Sequence, residues 1–334
     1  MSPPPTTTTT TPIFISTTTL TSILTHKTLI SHFQSNLPNS TLFLTTPPRH
    51  TTTTTTANSA LLLMPSFSTH PSLPYIGVKI VTSHSQNSSL NLPSIHACYT
   101  LFNSITGQTL ALFDATELTL FRTSSISALA SSYLSNFNAQ VFVMVGAGNL
   151  APHLIKAHLC VRPSISKVFI WNRNVEKAVA LAEKLKEEGG FCGVEFEASG
   201  FLEEVVKLGD IVSCATNSES ELVKGEWLKE GAHLDLVGSF KPSMKECDVE
   251  AIKRGRVFVD NDVAIEEAGE LVSAFEKGVI SKNDVCGNLV DLIKGEKFGR
   301  KSETEITMFK SVGSGVVDLL TAQLVYETVA RGSG

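Results

Sequence analysis

The first 113 residues contain no aspartate or glutamate; all 32 acidic side chains lie at or beyond Asp114. Lys27, Arg49 and Lys79 are the three Lys or Arg in that stretch. An acid-free start rich in Ser and Thr is the composition of a plastid transit peptide. A plastid address is therefore the expectation, with the cytoplasm as the alternative. The match is imperfect, because arginine is nearly absent and periodic sequence begins by Ile13. The six cysteines, at 98, 160, 192, 214, 247 and 286, include no C-x-x-C pair. That excludes a zinc ribbon and argues for reduced thiols over a disulfide framework. The nine histidines have no H-E-x-x-H spacing, so no metal is expected. No apolar run reaches the length of a membrane span, so no membrane partner is expected. A formal net charge of −5 gives no basic footprint for nucleic acid.

A chain of 334 residues that is 42% hydrophobic can bury a sizeable core and suits two domains. The polythreonine tracts Thr6–Thr11 and Thr51–Thr56 read as a disordered tip and a surface loop. Pro12 to Ile15 reads as a strand, and Leu20 to Asn36 has helical apolar spacing. Ala60–Met64, Tyr75–Val81, Ala97–Asn103 and Thr109–Phe113 read as strands, the last two forming a hairpin through Thr106-Gly107-Gln108. Leu118 to Asn136 reads as a long linking helix. From Val141 the pattern alternates. Strands are expected at Val141–Val145, Lys167–Trp171, Val194–Glu197, Ile211–Ala215, His233–Val237 and Val257–Val259. Helices are expected at Pro152–Val161, Val175–Glu188, Phe201–Lys207, Ala264–Lys277, Asn288–Ile293 and Gly315–Ala330. Such alternation implies an α/β fold with a parallel sheet covered by helices.

The first of these strands ends in Gly146-Ala147-Gly148-Asn149-Leu150-Ala151, a Gly-x-Gly-x-x-Ala turn leading into a helix. Gly146 permits the tight turn, Gly148 lets backbone approach a pyrophosphate, and Ala151 allows close helix–strand packing. Residues 146–150 are thus expected to cradle a dinucleotide pyrophosphate. The second strand ends in Asn172-Arg173-Asn174, where NAD-preferring sites place an acid for the ribose hydroxyls. Without that acid, and with Arg173 able to pair with a 2′-phosphate, the expected cofactor is NADPH, with NADH possible.

Several further motifs occur in order: Gly77-Val78-Lys79-Ile80-Val81; Thr106-Gly107-Gln108 followed by Asp114; Leu118 through Ser124; Cys214 through Ser218; and Phe309 through Gly313 with Asp318. Together with the glycine turn, they make the chain resemble the ornithine cyclodeaminase/μ-crystallin family over about residues 12–332. The resemblance implies a Rossmann-type doubly wound parallel sheet plus a discontinuous α+β substrate and dimerisation domain. After a tail at 1–11, the substrate domain would span 12–130 with 316–334, and the nucleotide domain 131–315. A homodimer is implied. So is a substrate carboxylate held by Arg49, Lys79 and Arg122, with Lys79 as the catalytic proton donor. Family cofactor contacts map to Ser94, Arg122, Thr123, Thr216, Val237, Gly238 and Ser311, besides 146–150 and 172–174.

The chain departs from cyclodeaminases at two acidic positions. Leu62 stands where they carry a glutamate, and Phe240 where they carry an essential aspartate. Met244 replaces a lysine of NAD-using relatives. Cyclodeamination needs those carboxylates for proton work. Reducing a preformed cyclic imine needs only a positioned substrate, a hydride and a proton. The pattern is most similar to plant ketimine reductases that convert dehydropipecolate, a small cyclic imino acid, to the defence metabolite pipecolate. The alternatives are an ornithine cyclodeaminase or amino-acid dehydrogenase, and a μ-crystallin-like NADPH-dependent binding protein.

Overall fold

A computed structural model describes residues 11–53, 59–68, 70–90, 92–93 and 95–332. The chain divides into two compact units, one of residues 1–24, 39–119 and 315–334, the other of 25–38 and 120–314. Residues 25–38 and 120–130, expected with the substrate domain, fall in the nucleotide unit. Local packing explains the shift. The His26 ring lies 4.9 Å from Phe121 and 5.4 Å from His153, and Ser127 Oγ donates to the buried Asp235 at 2.8 Å.

The first unit is built on strands β1 (Ile13–Ile15), β2 (Leu44–Thr45), β3 (His50–Thr53), β4 (Ser59–Ser68), β5 (Tyr75–His84), β6 (Ile95–Asn103) and β7 (Thr109–Asp114). They form one sheet in the order β1-β7-β6-β5-β4-β2, with β3 also on β4. β1 joins β7 in parallel, and the other pairs are antiparallel. The strand period sorts the faces. On β5, Tyr75, Gly77, Lys79 and Val81 are buried, while Ile76, Val78 and Ile80 are half-exposed. The C-terminal helix Gly315–Gly332 packs on β5 and β4 within this unit. Two expectations change. The single helix over 20–36 is broken at Leu24, whose backbone is extended, into Thr17–Ile23 and His26–Phe43. Within the threonine tract, Thr51–Thr53 are an exposed strand paired with Leu62, Leu61 and Ala60, not a loop. β-Branched threonine suits such an edge. Thr6–Thr10 and Thr54–Thr56 lie outside the described residues, and Thr11 is exposed coil.

The second unit holds β8 (Val141–Val145), β9 (Lys167–Trp171), β10 (Glu195–Ser199), β11 (Ile211–Cys214), β12 (His233–Leu236), β13 (Gly255–Val259) and β14 (Ile306–Lys310). All pair in parallel, in the order β10-β9-β8-β11-β12-β14-β13. Strand order reverses at β8, and such a crevice at strand carboxyl ends is where α/β sheets bind ligands. β11, β12 and β14 are buried at every residue, as a sheet covered on both faces requires. β14 was not expected as a strand, although it sits between β12 and β13. The expected helix over 264–277 is two, Ala264–Glu267 and Gly269–Glu276, because Ala268 is extended. No helix among the described residues is long and apolar enough to cross a membrane.

Candidate active site

In the first unit, Lys79 lies on the helix-covered face of β5 and is 2% exposed. Its ammonium is 3.0 Å from Oδ1 and 2.8 Å from Oδ2 of Asp318, which is 0% exposed in the C-terminal helix. An isolated buried ammonium is costly, and a carboxylate at this distance is what permits it. Tyr99, in register with Lys79 on β6, is fully buried, and its hydroxyl lies 3.3 Å from Ser66 Oγ. Burial pushes the Tyr99 hydroxyl well above the ordinary phenol range; the Ser66 hydrogen bond lowers it, and the Asp318 charge raises it further. The Gly-Val-Lys motif acquires a local reason here. A Cβ on Gly77 would overlap the Tyr99 ring and hydroxyl. Leu62 pairs with Val81, two residues from Met64 on the same strand, and Met64 pairs with Lys79. The alternation of β4 therefore places Leu62 on the Lys79 face.

In the second unit, the glycine turn follows β8 as expected. Gly146 has φ of 115°, and a Cβ there would come 2.6 Å from the Ala215 carbonyl oxygen. Gly148 is exposed, with nothing within 4 Å of a Cβ. Ala151 is buried at the start of helix Leu150–Val161. One assignment changes. The Ala147 N–H donates to Asn172 Oδ1 at 3.3 Å, so this amide already has a partner and Asn172 braces the turn. Asn172 Nδ2 in turn donates to the Asn174 carbonyl at 2.9 Å. Asn174 N-caps helix Val175–Glu188, its Oδ1 accepting from Glu176 N–H at 3.0 Å. That is a helix-start role for a residue expected at the cofactor. Arg173 is exposed at the end of β9. An open cradle at a helix start, with no acid at that strand end, fits the pyrophosphate and adenosine ribose of a dinucleotide.

Three more loops complete this end of the sheet. Thr216 follows β11 and Gly238 follows β12, and both are bound by the buried Glu246. Its Oε1 accepts from Thr216 N–H at 2.6 Å and from Thr216 Oγ1 at 3.0 Å; its Oε2 accepts from Gly238 N–H at 2.7 Å. Ser239 Oγ donates to Glu270 and, at 3.0 Å, to the Met244 carbonyl. Glu270 is ion-paired with the buried Lys310 at 2.9 Å. The loop after β14 is tied to Asp260, whose Oδ2 accepts from Ser311 Oγ at 2.8 Å, Val312 N–H at 3.0 Å and Gly313 N–H at 2.7 Å. Burial pushes the Asp260 carboxyl upward, and these donors pull it back. The turn sets Gly313, φ 79°, directly against the Arg122 guanidinium, which a Cβ would approach within 2.6 Å. Phe240 packs half-buried on the core, with the Lys241 ammonium 5.5 Å from its ring centre.

The sequence-predicted residues thus separate by unit. Arg49 and Lys79 belong to the first and Arg122 to the second. Arg49 is half-buried between β2 and β3. Thr123 is buried beside Arg122 in the chain, Val237 is buried at the end of β12, and Leu150 opens its helix. Ser311 spends its hydroxyl on Asp260. Ser94 lies outside the described residues. Sequence reasoning missed Glu246 and Asp260 altogether and gave Asp318 no role. Their one signal is an acid in a loop, after a strand or inside an apolar helix, which many surface acids share. Among the described residues, no group of three or more His, Cys, Asp or Glu is placed to hold a metal. An open cavity of about 410 Å³ lined by His26, Phe121, His153 and Lys156 contains none of the predicted site residues.

The model of the ornithine cyclodeaminase/mu-crystallin family matches residues 12–333. The chain is 59% identical over 316 residues to Protein SAR DEFICIENT 4 of Arabidopsis thaliana, covering 95% of this chain and 97% of that protein. The Delta(1)-pyrroline-2-carboxylate reductase of Thermococcus litoralis, solved with NADH and L-proline, superposes with a TM-score of 0.91 at 28% identity, over 96% of this chain and 98% of that one. An archaeal alanine dehydrogenase dimer with bound NAD gives 0.87 at 28% identity, over 97% of each chain.

Proposed function

The chain belongs to the ornithine cyclodeaminase/mu-crystallin family, and from that membership we propose that it is an NAD(P)H-dependent reductase of cyclic ketimines, acting on dehydropipecolate to give pipecolate. One observation carries the reading. The family lysine is kept, buried and ion-paired as Lys79–Asp318, while Leu62 shares its sheet face without a carboxylate and Phe240 turns apolar against the core. The site retains a cation and a proton source but lacks the extra acids that amine oxidation and ammonia loss require. The glycine turn at 146–150 would hold the dinucleotide, which when bound would supply the hydride that imine reduction needs. Family resemblance gives Arg122, which the Gly313 turn holds within the second unit, the role of a carboxylate ligand. Lys79 delivers the proton to the ring nitrogen, and Asp318 holds its ammonium in place. The solved reductase relative with NADH and L-proline supports a small imino-acid substrate.

The test is loss of NADPH absorbance with five- and six-membered cyclic ketimines, beside ammonia release from ornithine and lysine. Turnover of the six-membered imine is expected, with no ammonia. Robust ammonia from ornithine would make the protein a cyclodeaminase. Binding of NADPH with unchanged absorbance would make it a binding protein.

We also propose a homodimer through the outer face of the first-unit sheet. Phe14 and Leu112 are exposed on adjoining strands, and the half-exposed Val78, Ile80, Leu63 and Pro65 extend that face across β5 and β4. A contiguous apolar face of this kind marks an association site, and the dimeric alanine dehydrogenase relative points to a second copy. Sizing chromatography in the same preparation is expected to give twice the chain mass; a monomer would refute this.

The cofactor is proposed to be NADPH. Arg173 is exposed where a ribose-binding acid would otherwise stand. Arg173→Ala is expected to weaken NADPH on the order of tenfold and to spare NADH, as loss of one charge-assisted contact implies. Fluorescence titration measures both affinities. Equal affinities of the parent protein for the two cofactors would rule out this basis for preference.

A further inference from the structure

We propose that Glu246 is a positioning residue for the dinucleotide: its carboxylate ties the loop after β11 to the loop after β12 and so shapes one wall of the crevice beside the glycine turn. This rests on the reading that the crevice binds NAD(P)H. Three hydrogen bonds make the tie, from Thr216 N–H and Oγ1 to one oxygen and from Gly238 N–H to the other. The two loops follow adjacent parallel strands, where the sheet ladder has ended and a buried backbone amide needs another partner. A carboxylate, an acceptor at both oxygens, can take donors from two loops at once. The tie also reaches the pyrophosphate turn. A Cβ on Gly146 would lie 3.3 Å from Thr216 Cγ2, so Thr216 stands at the wall of that turn. Sequence similarity had placed Thr216 and Gly238 at the cofactor; Glu246 touches both from behind, inside the protein.

The tie titrates. Burial pushes the Glu246 carboxyl up to about 7, Glu270 raises it too, and Lys310 and the two amides lower it. Facing it are Lys310 on β14, Glu270 on helix Gly269–Glu276, and the buried thiols Cys214 and Cys247, which burial keeps protonated. The ionised form holds both loops; a proton on one oxygen turns an acceptor into a donor facing a donor. The sign follows. Dinucleotide affinity is highest above about pH 7 and falls as pH drops through that value. Folding runs the other way. A raised carboxyl favours the folded state at low pH, and that advantage shrinks as pH rises from the ordinary carboxyl range to about 7.

NADH is the suitable probe, because its pyrophosphate does not titrate here, unlike the 2′-phosphate of NADPH. Its Kd is measured by fluorescence titration from about pH 6 to about pH 8, with thermal melting to establish folding. In the parent protein, NADH is expected to weaken toward the acid end. In Glu246→Gln, the Kd at about pH 8 is expected to rise about tenfold, the loss of one or two hydrogen bonds, and its pH dependence to flatten. The imine KM at saturating cofactor is expected to stay within about twofold of the parent, since the clamp on the substrate is separate. A Glu246→Gln protein that melts normally and binds NADH as the parent does overturns the proposal. Should that variant fail to fold, a parent affinity that is flat across the pH range overturns it equally. A parent protein that binds neither NADH nor NADPH overturns the function itself, a distinct result.

Discussion

Lys79→Met is expected to reduce kcat/KM for the cyclic imine by at least about a hundredfold, the scale on which positioned proton donors act. Two losses combine. On the proposed reading, the proton source for the ring nitrogen disappears, and so does a charge that helps hold the substrate carboxylate. The same substitution takes from Asp318, a carboxylate with 0% exposure, the ammonium 2.8 Å away. Breaking a buried pair from one side costs about 3–5 kcal/mol, so the single variant is also expected to melt earlier. The double variant Lys79→Met/Asp318→Asn removes the buried negative charge as well and is expected to recover most of that stability while staying inactive. Steady-state kinetics and denaturant unfolding on all three proteins separate the two effects. Near-normal turnover in the folded double variant would place the substrate elsewhere.

Gly146→Ala is expected to raise the Kd for dinucleotide on the order of a hundredfold while leaving the first unit folded. A residue with a side chain at φ 115° is strained by about 1–3 kcal/mol. Its Cβ must also displace the Ala215 carbonyl, a backbone atom that cannot rotate away. The turn can relieve both only by opening, and an opened turn no longer points its amides at a pyrophosphate. Fluorescence titration with NADPH measures the affinity, and circular dichroism confirms that the sheets persist. Unchanged affinity would show that the phosphates sit away from this turn.

Much of the second unit was legible before any coordinates. Val141–Val145 and Lys167–Trp171 fall where expected, to the residue. Each is a short, mostly apolar run closed by a polar or glycine signal, the pattern of a parallel strand inside a sheet. β14 was not legible. Its run Ile306–Lys310 contains Thr307 and Lys310, yet every residue is buried. Those polar groups are tolerated because Thr307 Oγ1 meets His233 Nδ1 at 3.0 Å and Lys310 meets Glu270. Nothing in a five-residue window announces partners that lie so far along the chain. The same reason explains the domain boundary. Periodicity shows that residues 26–36 are helical, but not that His26 will find Phe121 and His153 in the nucleotide unit.

The sequence by itself determined the parts governed by local order: the glycine turn, the acid-free end of β9, the lysine of the Gly-Val-Lys motif, and the apolar side chains at Leu62 and Phe240. Each of these depends on which side chain follows which along a few residues. The tertiary structure alone decided which buried charges answer one another. Lys79 finds Asp318 239 residues later, and Glu246 closes on Thr216, 30 residues earlier in the chain. A charge removed from water must be met within hydrogen-bond reach. Such partners are made neighbours by folding, whatever their separation along the chain.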